Sequence, residues 1–546
     1  MKQKLLIVMT LFLFAVSGVK AQQQQVTGEV VDEQGLPLPG VGINVKGTDK
    51  GTQTDFDGNF KISLEQGQTL VFSYLGMEET TVVFQGQTEL SVVMKTAENQ
   101  LNEVVVTALG IKREKKSLGY ATQEVGGDEV SSIATNNFTN ALSGKVAGLN
   151  IKSSGTIGGS TNVVIRGNSS LTGSNQALFV IDGTPIINQN SNTGDQKAGR
   201  GGYDYGNAAS DLNPDNIKNI NVLRGAAATA LYGERAANGA IIITTKRGNQ
   251  NEDIGVSVRT SVMFSNANEN TLPTYQRKYG AGYGPYYVDQ IGKDANGDPI
   301  YWEDQPGSDP TDIYFSNYDL NGNGQLNAQF TPFTQDASFG AAFDPNRMVY
   351  QWDAIYPELD TFQQASPWTA GAHTPNDIWD TGYQLINSVA LQGGTERSSF
   401  RLNYTNFFQE GALPNSEIKR NTINFSASHD LTDKLKISSN FNFIKSDGKG
   451  RYGTGYDADN IMQSHRQWSQ MNVDLYNQRD AYFATGRNIT WNPNGRDDLT
   501  PIYFDNPYFT RFENFSTDAR NRYYGNINLN YEINDVFSVL GRFTFD

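Results

Sequence analysis

A chain of 546 residues is long enough for several domains, and its formal net charge of −15 argues against general affinity for nucleic acid. It has no cysteine, which excludes a disulfide framework and removes the thiol acceptor for a lipid-modified amino terminus. With 55 glycines, 26 tyrosines and 29 phenylalanines but only 18% charged residues, the composition leans toward strands separated by many turns.

Residues 1–21 begin with Lys2 and Lys4, continue through an apolar run from Leu5 to Val16, and end in Val19 and Ala21, which is the pattern of a cleaved secretory signal. That run is shorter than the ~20 apolar residues a spanning helix needs, and no later segment comes close. After a short Gln-rich tether, about six or seven alternating runs broken by Gly, Pro and Asp predict a small β-sandwich over residues 22–98. The pattern Gly28-x-Val30-x-Asp32-x-x-Gly35-x-Pro37-Leu38-x-Gly40-Val41, followed by Gly47-Thr48 and Thr54-Asp55-x-Asp57-Gly58-x-Phe60, resembles the carboxypeptidase-regulatory-like (transthyretin-like) sandwich. Asp55, Asp57 and Asn59 are of metal-ligand type, but an Asp-Gly pair between two strands reads as a hairpin turn, and no chemistry is assigned to this domain.

Residues 99–113 form a linker around a short β-branched run. Glu103, Val104, Val105, Val106, Thr107 and Ala108 favour an extended backbone, and the polar flanks, 98–100 and 112–116, predict no sheet for it to join. An extended segment of this kind is suited to adding a strand to a partner's sheet edge, with affinity from main-chain hydrogen bonds and register from alternate side chains.

Residues 114–249 read as a mixed α/β unit. Helices are expected at 137–146 and 226–232, with strands at 149–152, 162–166, 177–181, 217–223 and 240–245. Its glycines permit tight turns, and none belongs to a phosphate-binding loop with a following lysine and hydroxyl. The runs Val164-Ile165-Arg166-Gly167, Val180-Ile181-Asp182-Gly183-Thr184-Pro185, Asn213-Pro214-Asp215-x-Ile217 and Val222-Leu223-Arg224-Gly225 resemble the plug domain of a TonB-dependent outer-membrane transporter. The segment Ala228-x-Ala230-Leu231-Tyr232-Gly233-x-Arg235-Ala236-Ala237-Asn238-Gly239-Ala240-Ile241, with Thr244-Thr245-Lys246-x-Gly248, is similar to the signature of the SusC/RagA-type branch. The resemblance implies that Glu103 to Ala108 is the TonB box, and that Arg166 and Arg224 match conserved plug arginines that form buried ion pairs with barrel glutamates.

Residues 250–546 change to long alternating strands. In one, Leu435, Ile437, Phe441 and Phe443 share a face opposite Lys436, Ser438, Asn440 and Asn442; in another, Ile527, Leu529, Tyr531 and Ile533 oppose Asn526, Asn528, Asn530 and Glu532. One apolar and one polar face per strand is what a transmembrane barrel requires. The fold class is therefore mainly β: a transthyretin-like sandwich, a mixed α/β plug and the first strands of a transmembrane β-barrel. About seven strands are visible (near 254–264, 383–392, 397–409, 417–429, 433–445, 520–533 and 536–546), against roughly 22 in plugged transporters, so the sequence reads as an amino-terminal fragment. Residues 266–380 are too long for a structureless link and predict an ordered extracellular excursion. Within it, Asp319-x-Asn321-x-Asn323-Gly324 partly resembles a calcium loop, but the twelfth position is Phe330, not glutamate, and the reading is a polar turn. His373, His429 and His465 lie far apart, with no spacing of a metal site or a catalytic triad.

The resemblance implies TonB-dependent active import of a nutrient, glycan or peptide, across the outer membrane, with the sandwich in the periplasm. TonB and its inner-membrane energising complex, and a SusD-like surface lipoprotein, are the implied partners. No catalytic set, cofactor or metal is expected, and the substrate-binding residues are not identified. The alternatives are a TonB-linked signalling receptor, which would carry a further signalling domain ahead of the box, and a passive porin or adhesin, which would not need the box. The mature full-length protein should begin near Gln22. Amino-terminal sequencing of the outer-membrane fraction checks this, and a retained Met1 would contradict it.

Overall fold

The computed structural model describes residues 24–48, 50–74, 77–95, 104–106, 112–114, 123–131, 137–188, 192–284, 290–293, 299–301, 314–318, 320, 328–534 and 536–546. The expected signal and most of the calcium-like loop lie outside the described residues. Two compact units divide along the linker.

The first unit is the expected sandwich. Gln24–Val31 pairs antiparallel with Asn59–Leu64 and parallel with Glu89–Val93. The second sheet runs in the order Gly51–Gln53, Gly42–Val45, Thr69–Ser73, Thr80–Val83. Alternation along each strand turns Val26, Val30, Ile43, Leu64, Leu70 and Phe72 into one core. The Asp55 turn is as read: its Oδ1 accepts from the backbone N of Asp57 (3.0 Å) and Asn59 (2.8 Å), and Gly58 takes φ +76.

The second unit holds the plug and an outer wall. The plug sheet runs Gln123–Gly126, Ile217–Leu223, Ala240–Thr245, Leu178–Ile181, Thr184–Ile186. Helix Gly225–Tyr232 forms where expected. The helix expected over 137–146 is a single 3-10 turn, Phe138–Leu142, capped by the Asn137 side chain. It stops because Ser143 is extended and Gly144 takes φ +78, a left-handed step that an α-helix cannot continue through. Asp182 and Gly183, at φ 48 and 83, supply the two positive-φ positions that a two-residue hairpin between Leu178–Ile181 and Thr184–Ile186 requires.

The wall is a seven-stranded antiparallel meander of Gly255–Ser265, Gly382–Gly394, Ser398–Glu410, Glu417–Asp430, Leu435–Lys449, Thr517–Glu532 and Ser538–Phe545. These are the seven strands expected. Register places Leu402 beside Phe425 and Ile437 beside Leu529 on the outer face, and Asn424 beside Asn442 and Asn440 beside Asn526 on the inner face. Among the described residues no helix is long and apolar enough to cross a membrane, which says nothing about strands.

Antiparallel order puts the connections 266–381, 411–416 and 450–516 at one end of the wall and the short turns 395–397, 431–434 and 533–537 at the other. Long loops at one rim and tight turns at the other are the asymmetry of an outer-membrane barrel. The two long connections build one cap. Phe330, Phe333, Trp352 and Ile355 from the first share a core with Val473, Ala481, Ile489 and Trp491 from the second. Phe330, the twelfth residue of the calcium-like loop, is thus an aromatic core residue, stacked on Tyr350 with centroids 4.8 Å apart.

His465, on helix Ile461–Gln467, is 7% exposed and its Nε2 meets no hydrogen-bond partner. Burial pushes its pKa down from 6.5 to about 4. A folded value below the unfolded one means the cap keeps this stability above pH 6.5 and loses it as pH falls toward 4. Melting followed by tryptophan fluorescence should show the cap weakening over that interval, and His465→Gln should flatten the dependence. An unchanged pH profile in the variant would contradict the assignment.

Candidate functional site: the linker strand and the plug–wall interface

Val104–Val106 is extended, as its β-branched residues dictate, and forms a two-stranded sheet with Lys112–Glu114. This corrects the expectation that the flanks supply no pairing. A lone strand leaves main-chain donors and acceptors bare, and three residues at the junction of linker and plug satisfy part of them. Glu103, Thr107 and Ala108 lie outside the described residues.

The plug meets the wall's inner face through side-chain amides and buried carboxylates. Asp182, with a side chain 1% exposed, accepts from Thr245 N (3.1 Å), Thr245 Oγ1 (2.5 Å) and Asn440 Nδ2 (2.8 Å). Behind Asn440 the amides run head to tail. Asn442 donates to Asn440 (2.5 Å), Asn424 to Asn442 (2.5 Å), and plug Asn216 to Asn424. Wall asparagines therefore form a relay that begins on one plug residue and ends on another, each bond polarising the next. Asn526 Nδ2 donates to the Asp182 carbonyl at 3.1 Å, and Asn213 Nδ2 to Thr405 Oγ1 at 2.7 Å. Apolar contact is confined to a few places: Ile444 and Tyr524 complete the plug core, and Ile157 meets Phe407 and Ile418.

Ion pairs also cross the interface between the plug and these seven strands. Arg166 is exposed at φ 61, and its backbone N donates to Gly148 O. Arg224 donates from NH2 to Ala147 O at 3.0 Å. Neither makes an ion pair with a described residue, and no glutamate of these seven strands reaches them. Instead the plug supplies aspartates and the wall supplies arginines: Asp215 to Arg259, and Asp211 to Arg520 and Arg522. Near the cap Arg451, 3% exposed, binds Asp518 through Nε (2.5 Å) and NH2 (2.9 Å), while NH1 donates to plug carbonyls of Ile157 (2.9 Å) and Gly158 (3.3 Å). Gly158 is required there: a Cβ would sit 2.1 Å from Ile418 Cδ1, at φ +58.

The plug apex is tied internally by Asp204. Its carboxylate accepts from Ser160 N and Oγ (both 2.8 Å), Gly206 N (3.0 Å) and Asn192 Nδ2 (3.1 Å). Burial raises its pKa, but these hydrogen bonds to the charged form outweigh burial and hold it below the usual carboxylate range. The histidines take separate structural roles: His373 Nδ1 lies 3.0 Å from Asp474, and His429 Nδ1 lies 2.8 Å from Ser398 Oγ.

A strand wall whose polar face is filled by a mixed α/β domain defines a plugged barrel. The description CarboxypepD_reg-like domain matches residues 26–106, and TonB-dependent Receptor Plug Domain matches 114–240. TonB-dependent receptor SusC of Bacteroides thetaiotaomicron is 37% identical over 303 residues, covering 55% of this chain and 29% of that protein. TonB-dependent receptor P3 of Formosa agariphila is 27% identical over 549 residues, covering 98% of this chain and 43% of its own length. Among solved structures, the RagAB peptide importer in its open-open state aligns with a TM-score of 0.45 at 16% identity, covering 79% of this chain and 41% of that one. The chain spans less than half the length of each of these relatives. It carries a CarboxypepD_reg-like domain and a TonB-dependent receptor plug domain, and is similar in sequence to TonB-dependent receptor SusC.

Removing Arg451 strands Asp518 and frees the plug carbonyls of Ile157, Gly158 and Asp204, so Arg451→Ala should loosen the plug by about 3–5 kcal/mol. Arg397→Ala, which breaks only the exposed pair with Asp433 between two short turns of the wall, should stay within about 0.5 kcal/mol. Urea titration of plug hydrogen exchange in the full-length protein compares them, and equal losses would contradict this ranking.

Proposed function

We propose that the full-length protein imports a nutrient, a glycan or peptide, across the outer membrane, and that TonB drives it by pairing with Glu103 to Ala108. The observation that carries this reading is the polar fastening of the plug. Each amide or hydroxyl bond between plug and wall contributes only ~0.5–1.5 kcal/mol net, because water replaces it when it breaks. A plug held in this way can shift under load without exposing a large apolar face. The chain contains no nucleotide-binding loop that could supply the work locally, so the pull must come from outside it.

The linker strand has the properties that coupling requires. A two-stranded pairing of three residues a side is marginal in water, so TonB can displace Lys112–Glu114 and offer a longer edge in its place. The cap over the wall rim, with its aromatic core, would receive the nutrient together with a SusD-like lipoprotein.

Val105→Pro removes a main-chain donor, fixes φ and restricts Val104, and should abolish growth on the cognate nutrient while barrel assembly and external binding persist. Val105→Ala keeps the donor and should be much milder. Growth and whole-cell binding of both full-length variants are the measurement. Normal growth of the proline variant would remove the coupling role, and parallel loss of binding would make the segment part of the fold.

A further inference from the structure

On the wall face covered by the plug, three arginines converge beneath a few plug groups. Arg420 on Glu417–Asp430, Ser446 on Leu435–Lys449 and Arg520 on Thr517–Glu532 lie in one cross-strand row, and Arg522 is the next inward residue beyond Arg520. Over this row sits plug residue Asp211, with a side chain 3% exposed, bonded to Arg520 and 3.6 Å from Arg522 NH1.

One carboxylate does not satisfy the cluster. Arg420 is 7% exposed and makes no ion pair with a described residue. One of its nitrogens donates to the Ser210 carbonyl, its guanidinium lies 4.8 Å over Phe407, and its buried Nε has no hydrogen-bond partner. Arg520 Nε is likewise buried and unpartnered. Arg522 shares its charge with Asp546, at 2.8 Å from both Nε and NH2. Asp518, the inward residue before Arg520, is taken up by Arg451, which leaves Asp211 and Asp546 against the three guanidiniums in a chain whose net charge is −15. Guanidiniums are the side chains best matched to oxyanions, through parallel N–H donors.

We propose that Arg420, Arg520 and Arg522 form an oxyanion-binding station on the channel wall, that Asp211 occupies it while the plug is seated, and that the transported ligand carries carboxylate or sulfate groups. The inference rests on the import reading, because the station is uncovered only when the plug moves. Asp211 then acts as an internal substitute for the ligand. The seated plug neutralises the row and keeps it from trapping stray anions; the displaced plug exposes it to the passing ligand. The exchange involves no covalent step, and three arginines from two strands discriminate by charge and donor geometry, not by one contact.

The test uses the full-length protein in detergent. Asp211→Ala removes the occupant and leaves the guanidiniums. Against chloride at equal ionic strength, formate or sulfate should raise the plug unfolding temperature of this variant saturably, with no such response in the native protein. Adding Arg520→Gln and Arg522→Gln should weaken that response by about tenfold or more. Formate acting alone assigns carboxylate ligands, sulfate acting alone assigns sulfate esters, and chloride acting as well as both overturns the station. Should Asp211→Ala fail to assemble, the native protein in planar bilayers, with its plug loosened by sub-denaturing urea, should prefer anions, and Arg420→Gln/Arg520→Gln/Arg522→Gln should lose that preference. An unchanged selectivity in the triple variant overturns the proposal. Loss of TonB dependence in cells with the formate or sulfate response intact would reject the import reading and leave the station standing.

Discussion

A strand wall that faces hydrocarbon on one side must carry its polar side chains on the other, and buried polar groups there need partners. That constraint organises the second unit. Asn424, Asn440, Asn442, Asn526, Thr405 and Arg451 all point to the inner face, and the plug answers them with Asn213, Asn216, Thr245, Asp182 and the carbonyls of residues 157 and 158. The plug core supplies little of the attachment, since only a few wall residues, such as Ile444 and Tyr524, join it. Hydrogen bonds therefore decide where the plug sits, and they fix its orientation more sharply than apolar contact would.

The charges follow the same logic with a fixed polarity. Aspartates on the plug face arginines on the wall, and two glycines let backbone and guanidinium approach: Gly158 beneath Arg451, and Gly183, whose Cβ would lie 2.0 Å from Arg542 NH1. Asp182 occupies a left-handed position next to Gly183, so the turn that closes the plug hairpin also aims a carboxylate at the asparagine relay. Turn chemistry, sheet register and interface electrostatics are thus one arrangement.

Much of this was legible in the sequence, for physical reasons. Period-two alternation located all seven wall strands and the sandwich, because each has one wet and one dry face. The runs around Val180 to Pro185 and Ala228 to Ile241 located the plug. The helix over 137–146 was overread, since Gly144 is a terminator that apolar periodicity does not register. The second long connection, 450–516, went unread although Asn460, Asp474 and Asn506 each cap a helix there, because those helices are short and only weakly amphipathic. The pairs of Asp211 and Asp215 with wall arginines were not legible, because a pair depends on which charges the fold brings within reach. Asp211 carries no local signal, and its three arginines lie more than 200 residues away in sequence.

The account stands on the claim that the plug must part from the wall for the ligand to pass. These 546 residues contain no cysteine, so an engineered pair adds the only thiols to this segment. Asn213→Cys and Thr405→Cys place thiols where an amide and a hydroxyl now meet at 2.7 Å, and a short methanethiosulfonate bridge would tie plug to wall through reducible bonds. Ligand accumulation by cells expressing the bridged full-length protein is the measurement. The account predicts no accumulation with surface binding intact, and recovery on reduction. Normal accumulation through the tethered plug would contradict it.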